Sequence, residues 1–475
     1  MKAAKSTFIY LISSLIEKGS AFLLIPFYTN YLSTSDYGIL SIIQAIIGIM
    51  TIFFMLSLNG AASRYHFDGN NLYRKFHYGN IFLFVTINSI LFTIVLLYFG
   101  DKLFQLFGNI PQYPYLLFVI VIVYGGSIFN IYQLKLQMEH KAISYGINNI
   151  VKFLLSSSIA IYLIVFLNKK ADGVLSGLMV TFIIFLVFIF FKLRQEKIVF
   201  NLNKKLLKRN IKYSVYLIPH NLAALAMQFL DRFFISNMLN LAQAGIYSLG
   251  GQISMMLGII ASAINNATVP MVLKAYKDEN YIYLKELTNI SVIFLSIIAI
   301  FLGLFSPEII HLVSSKEYFQ AYTIIPILSF YFVLQMYYFM TSSVLFYVES
   351  ATKFVSIATL ISMILNFILN YLLIPIYGII GASIATMLSM WIVNYIVIFI
   401  ANKYIKVGFN HLKLHIIIVI SFVLSNINFV IDLIFFIKVI LFISSIGLLL
   451  FFEKNNSLLF DFKRKINEKI IAKIS

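Results

Sequence analysis

Residues 6–32 and 213–239 each form an apolar run longer than a bilayer core is thick, and each is interrupted by a single acid–base dipeptide, Glu17-Lys18 and Asp231-Arg232. About 20 helical residues cross a hydrocarbon core of roughly 30 Å. Runs of that length recur along the chain: 61% of its 475 residues are hydrophobic and only 11% are charged. Backbone groups in lipid must be paired within a helix or a closed barrel, and the ten-residue alternation of barrel strands is absent. The sequence therefore specifies an all-α integral membrane protein. About 14 transmembrane helices are expected, over 6–32, 38–61, 76–99, 115–137, 142–167, 173–191, 213–239, 245–273, 287–304, 321–347, 354–374, 378–401, 412–430 and 433–452.

The basic residues alternate with these spans. Lys2 and Lys5 precede the first, Arg64, Arg74 and Lys75 follow the second, and Lys135 and Lys141 border the turn after the fourth. The most basic connection, with Lys192, Arg194, Lys197, Lys204, Lys205, Lys208, Arg209 and Lys212, joins the sixth and seventh. The other side holds Lys102, Lys169, Lys170 and Lys316, with Lys438 placed to snorkel from the outer end of the last helix. Lys and Arg accumulate in short cytoplasmic loops, so both termini are expected in the cytoplasm. The net charge of +18 is thereby assigned to an anionic inner leaflet and not to nucleic acid. Residues 461–474 are amphipathic and suit either that leaflet or a solvated helix.

Zero cysteines exclude disulfides, thiolate nucleophiles and Cys-bound metals, and no metal site is expected. The first apolar run is too long for a cleaved signal, and no glycine-rich phosphate loop is present. The chain does repeat itself. FYTNYLSTSDYGILSIIQAI at 27–46 aligns without gaps on FISNMLNLAQAGIYSLGGQI at 234–253, an offset of 207 residues, and DGVLSGLMVT at 172–181 resembles YGIIGASIAT at 377–386. An even number of helices per copy makes the repeat parallel. The expected plan is two six-helix lobes around a central cavity, residues 1–200 and 201–405, followed by 406–475 as two further helices and a cytoplasmic tail.

The segments IPFYTNYLSTSDYGILSIIQAI, LDRFFISNML with AGIYSLGGQIS, and YLLIPIYGIIGASIATMLS resemble the polysaccharide-transport branch of the multidrug/oligosaccharidyl-lipid/polysaccharide (MOP) exporter superfamily. Similar members are Wzx-type flippases. The resemblance implies an undecaprenyl-pyrophosphate-linked glycan as substrate and the bacterial cytoplasmic (inner) membrane as location. It also implies O-antigen or capsule assembly as the pathway, with a polysaccharide polymerase and assembly proteins as candidate partners. Such a task needs a hydrated cationic cavity, because bare charge at membrane depth costs several kcal/mol or more.

Lys18, Arg64, Lys152 and Arg232 are the candidate pyrophosphate ligands, Arg offering a bidentate fork and Lys a point charge. Ser14, Gln44, Asn221, Gln228 and Gln252 are candidate sugar contacts. On the seventh helix Asn221, Ala224, Gln228 and Asp231 share a face by three- and four-residue spacing, either lining the cavity or bonding a neighbouring helix. Gln44, Gly48, Thr51 and Met55 make a milder stripe on the second, and Pro219 marks a candidate kink. Glu17, Asp231 and His220 are candidates for coupling to H+ or Na+, or for structural pairing; no other cofactor is expected. Competing readings are a peptidoglycan lipid-precursor flippase and an ion-coupled multidrug exporter. An enzyme is disfavoured by short outer connections and by the lack of an acid–base or nucleophile constellation.

Overall fold

The computed structural model describes residues 19, 22–108, 110–347, 349–404, 411–429, 431, 433–453, 456 and 457. Ser14, Glu17, Lys18 and the 461–474 tail lie outside the described residues. Those described form helices joined by short turns, with no strand among them. Among the described residues, ten helices are long and apolar enough to cross a membrane.

The chain divides into two compact units, Met1–Ser248 and Leu249–Ser475. In the first, α1 (Ile25–Tyr31), α2 (Thr34–Met55), α3 (Leu58–Arg64), α4 (Asn71–Leu106), α5 (Gln112–Met138), α6 (Ala142–Leu167), α7 (Lys170–Gln195), α8 (Lys204–Ser214) and α9 (Ile218–Met238) follow in order. The starts are written in the sequence. Ser33 accepts from the Asp36 N–H at 3.2 Å while Asp36 accepts back from the Ser33 N–H at 3.1 Å, a capping box. Asn70 and Asn203 cap α4 and α8. Met55, Tyr78, Phe82, Phe129, Tyr132, Phe185 and Ile189 form a buried core between α2, α4, α5 and α7. The span expected over 142–167 coincides with α6. Pro219 sits in the first turn of α9, just after a 3-10 turn at Val215–Leu217 that interrupts the helical ladder from α8, because a proline at 219 has no N–H to give the Val215 carbonyl.

This unit extends past residue 200 because α9 packs along α2 and because α10 (Leu241–Lys277) begins against it. A Cβ on Gly38 would lie 1.9 Å from the Leu241 carbonyl oxygen, and one on Gly245 would lie 1.9 Å from that of Thr34. The contact is reciprocal, and its members are 207 residues apart in each case: Thr34 with Leu241, Gly38 with Gly245.

The second unit holds the rest of α10, then α11 (Tyr281–Leu304), α12 (Ser306–Val313), α13 (Ile325–Tyr347), α14 (Glu349–Tyr404), α15 (His411–Ser425) and α16 (Phe435–Phe452). The spans expected over 354–374 and 378–401 are two helices that meet within α14 at Gly378, whose non-helical φ of 59° favours glycine. Lys438 does not snorkel. It is buried, with Nζ 2.6 Å from Glu308 Oε1 on α12, because ion pairing satisfies an ammonium in the bundle.

Candidate functional site

The second expected span, 38–61, is broken. Helix α2 ends at Met55, and Leu56 (φ 46°) and Ser57 (φ 53°) both take left-handed conformations before α3 starts at Leu58. Neither residue is glycine, so the break carries backbone strain on the order of 1–3 kcal/mol per residue and needs outside support. Asn88 on α4 supplies it, donating from Nδ2 to the carbonyls of Phe53 and Phe54, each at 2.8 Å. Asn221 on α9 donates to Ser57 Oγ at 3.0 Å. Irregular backbone at membrane depth occurs where it is buried in protein or lines a cavity.

A cavity of about 300 Å³ does open at the break, at the lower end of the range for ligand sites. Thr51, Ser57 and Asn59 line it from α2–α3, Asn130, Gln133 and Gln137 from α5, Tyr145 from α6 and Asn221 from α9. The α5 residues follow three- and four-residue spacing and so present one face. Behind them Gln133 is fixed: its Nε2 donates to the Tyr145 carbonyl at 3.0 Å and to Asn149 Oδ1 at 2.8 Å, and its Oε1 accepts from Asn148 at 3.1 Å. Asn59, Asn130 and Gln137 are exposed on the wall. Among the described residues every polar lining group is a neutral amide or hydroxyl. Such groups both donate to and accept from the hydroxyls of a neutral polyol.

Of the sequence candidates, Asn221 is brought to this cavity, as are Thr51 and Met55 of the second-helix stripe. Asn130, Gln133 and Gln137 went unremarked, although their spacing was visible. The described candidate cations, Arg64, Lys152 and Arg232, do not line it. Arg232 donates from Nε to Ser248 Oγ and from a terminal nitrogen to the Gln228 carbonyl, both at 3.0 Å, with its guanidinium 4.9 Å from the Phe229 ring centroid. Its neighbour Asp231 is buried and accepts from the Tyr247 hydroxyl at 2.6 Å. The dipeptide thus makes two adjacent rungs from α9 to α10. The four-residue stripe is accordingly divided, with Asn221 at the helix break, Gln228 exposed and Asp231 turned to α10.

Lys152 places its ammonium 5.0 Å from the Phe129 ring centroid. Arg64 is exposed at the end of α3 and stacks by its guanidinium 5.9 Å from Tyr65. Gln44 is exposed on α2, Gln252 is half-buried on α10 in the second unit, and His220 falls in the first turn of α9.

The basic ends of the helices are partly neutralised. Buried Lys135 pairs with Glu139 at 2.8 Å and with Glu196, and Lys141 pairs with Glu139 at 2.7 Å. Burial pushes the Glu139 carboxyl up, but hydrogen bonds from Lys135 and Lys141 outweigh it and hold the group below the usual carboxylate range. The hydrogen bond to Glu139 correspondingly raises Lys141 above the usual lysine range. His66, after α3, is buried against Tyr78, its Nδ1 2.8 Å from the hydroxyl. Burial, helped by Arg74, lowers the imidazole below 6.5.

An all-helical bundle with ten apolar helices long enough to cross a membrane among its described residues, and a broken second helix beside a polar cavity, is the build of a multi-pass membrane protein. The solved lipid II flippase MurJ, inward closed, superposes with a TM-score of 0.68 at 16% identity over 95% of this chain and 98% of that one. An inward-facing multidrug resistance MATE family transporter of the MOP superfamily gives 0.59 at 16% identity, over 82% and 96%. The sequence profile of the polysaccharide biosynthesis protein family matches residues 3–276, and the MatE profile matches 217–372. The chain belongs to the polysaccharide biosynthesis protein family, within the MOP superfamily. Its relatives include the capsular polysaccharide biosynthesis protein CapF of Staphylococcus aureus, 27% identical over 66% of this chain and 75% of that protein. Another is the probable low-salt glycan biosynthesis flippase Agl15 of Haloferax volcanii, 23% identical over 90% of each.

Proposed function

We propose that the protein flips undecaprenyl-pyrophosphate-linked oligosaccharide repeat units from the cytoplasmic to the outer leaflet of a bacterial cytoplasmic membrane, by alternating access. The observation that carries this reading is the neutral amide and hydroxyl lining of the cavity at the broken helix, which suits sugar hydroxyls. A cationic drug would instead call for carboxylates, and the lining holds none among the described residues. The working lobes follow the repeat, 1–200 and 201–405, with 406–475 appended. Lys18, Arg64, Lys152 and Arg232 remain the proposed pyrophosphate ligands, Ser14, Gln44, Asn221, Gln228 and Gln252 the proposed sugar contacts, and Glu17, Asp231 and His220 the proposed coupling or pairing groups for H+ or Na+.

The likeness in fold to MurJ favours one second reading, a peptidoglycan lipid-precursor flippase. Deletion of the gene separates the two. Loss of surface polysaccharide with viable cells and accumulated lipid-linked repeat units supports the first, and lethality supports the second. A viable deletion strain with normal surface polysaccharide would falsify the proposal.

A further inference from the structure

The second unit contains a cavity of about 470 Å³ between α10 and α13, lined by Asn265, Tyr338, Phe339, Ser342 and Ser343 among others. The two helices are in contact beside it. Ser254 Oγ lies 3.3 Å from the Ile325 carbonyl, and a Cβ on Gly258 would meet the Phe332 ring at 2.5 Å. At the 207-residue offset α10 is the counterpart of α2–α3 and α13 of α5, but this cavity opens on another face of the pair: Asn265, Tyr338, Phe339, Ser342 and Ser343 map to Leu58, Ile131, Tyr132, Lys135 and Leu136, which do not line the amide cavity. Asn59 of the first cavity maps to Asn266, next to Asn265.

The chemistry of this wall differs. Where α5 lends three amides to the first cavity, α13 lends this one two aromatic rings and three hydroxyls, those of Tyr338, Ser342 and Ser343. Ser343 donates to the Phe339 carbonyl at 2.7 Å, which uses its proton and leaves oxygen lone pairs to accept. Asn265 Oδ1 is buried with no hydrogen-bond partner among the described residues. A buried amide oxygen left unpaired costs about 1–3 kcal/mol, so an occupant that donates to it is favoured over a hydrocarbon chain. Aromatic faces for C–H groups, beside acceptors for hydroxyls, are the combination that a pyranose ring fits.

We infer that this cavity is a second saccharide subsite, in which a sugar ring stacks on Tyr338 or Phe339 and donates a hydroxyl hydrogen bond to Asn265. The inference rests on the proposed handling of a lipid-linked glycan and assigns the second repeat a part in holding it. The division of labour is chemical: hydrogen bonding in the first repeat, stacking in the second.

Two probes test it on the purified full chain, farnesyl pyrophosphate bearing one N-acetylglucosamine and bare farnesyl pyrophosphate, with dissociation constants measured for each. Wild type is expected to prefer the sugar-bearing probe by about tenfold. Tyr338→Leu and Asn265→Leu should erase that preference without weakening the bare probe, and Tyr338→Phe, which keeps the ring, should retain it. The thermal midpoint of each unliganded variant checks folding, and Tyr338→Phe against Tyr338→Leu reads the ring even if Asn265→Leu fails to fold. A wild-type preference that survives Tyr338→Leu overturns the subsite and leaves the flippase reading standing, as does equal binding of both probes by wild type. If wild type binds neither probe, the flippase reading falls and this inference falls with it.

Discussion

At the scale of single residues, the break after Met55 depends on a side chain far away in sequence. Asn88 is the group that pairs the Phe53 and Phe54 carbonyls, so Asn88→Leu should leave two acceptors unpaired at membrane depth and destabilise the protein by about 1–3 kcal/mol. A thermal midpoint in detergent equal to wild type would show that the break needs no such support. His66 makes a different prediction, in pH. Its imidazole is lowered below 6.5 by burial, so below that value the unfolded chain takes up a proton that the folded chain refuses. The contribution of neutral His66 is whole above about 6.5 and declines as pH falls. His66→Gln should therefore flatten the thermal midpoint between about pH 7.5 and 5.5, whereas Glu139, lowered instead, loses its contribution only as pH falls through its own depressed carboxylate value. These residues also show what the sequence concealed. Leu56 and Ser57 carry no turn signal of their own, and nothing local predicts two left-handed residues there. Asn221 was legible as a polar residue on an apolar helix, yet its partner Ser57 was not.

At the scale of elements, the repeat yields its most direct test where α2 meets α10. Gly38 and Gly245 each lack room for a methyl group, because the opposing carbonyl lies 1.9 Å from where a Cβ would stand. Gly38→Ala and Gly245→Ala should each cost about 1–3 kcal/mol, the range for overpacking a close contact. Because the contact is reciprocal, the two losses should be similar, and the double variant should lose less than their sum, since both spread the same pair of helices. Additive losses of very different size would mean that the two glycines do not share one interface. The helices were legible because apolar length is a local property, and α6 matches its expected bounds for that reason. Their internal changes of direction were legible only where a residue announces them. Gly378 does so through its left-handed backbone, and Pro219 through the 3-10 turn that precedes it.

At the scale of the whole molecule, geometry and charge together predict a polarity that neither predicts alone. Helices α6 and α7 are each 26 residues long and are joined through Asn168 and Lys169. At about 1.5 Å per residue each spans roughly 39 Å, more than a hydrocarbon core, so Lys169 and Lys204 belong on opposite sides of the membrane. Which side is which follows from the lysines: Lys204 belongs to the richest basic connection and Lys169 to a sparsely charged set of turns. The chain has no cysteine, so a single introduced thiol can be labelled without background. Lys169→Cys and Lys102→Cys should react with a membrane-impermeant maleimide on intact cells, and Lys204→Cys and Lys277→Cys should react only after the cells are opened. All four sites are exposed, so silence is not explained by burial in the fold. The reverse pattern would place the basic connection outside, contrary to the charge rule. It would also turn the amide cavity, which lies toward the Arg64 and Lys141 ends of its helices, away from the leaflet where a lipid-linked glycan built in the cytoplasm must be taken up. The direction of transport proposed above would then be untenable, whatever the cavity binds.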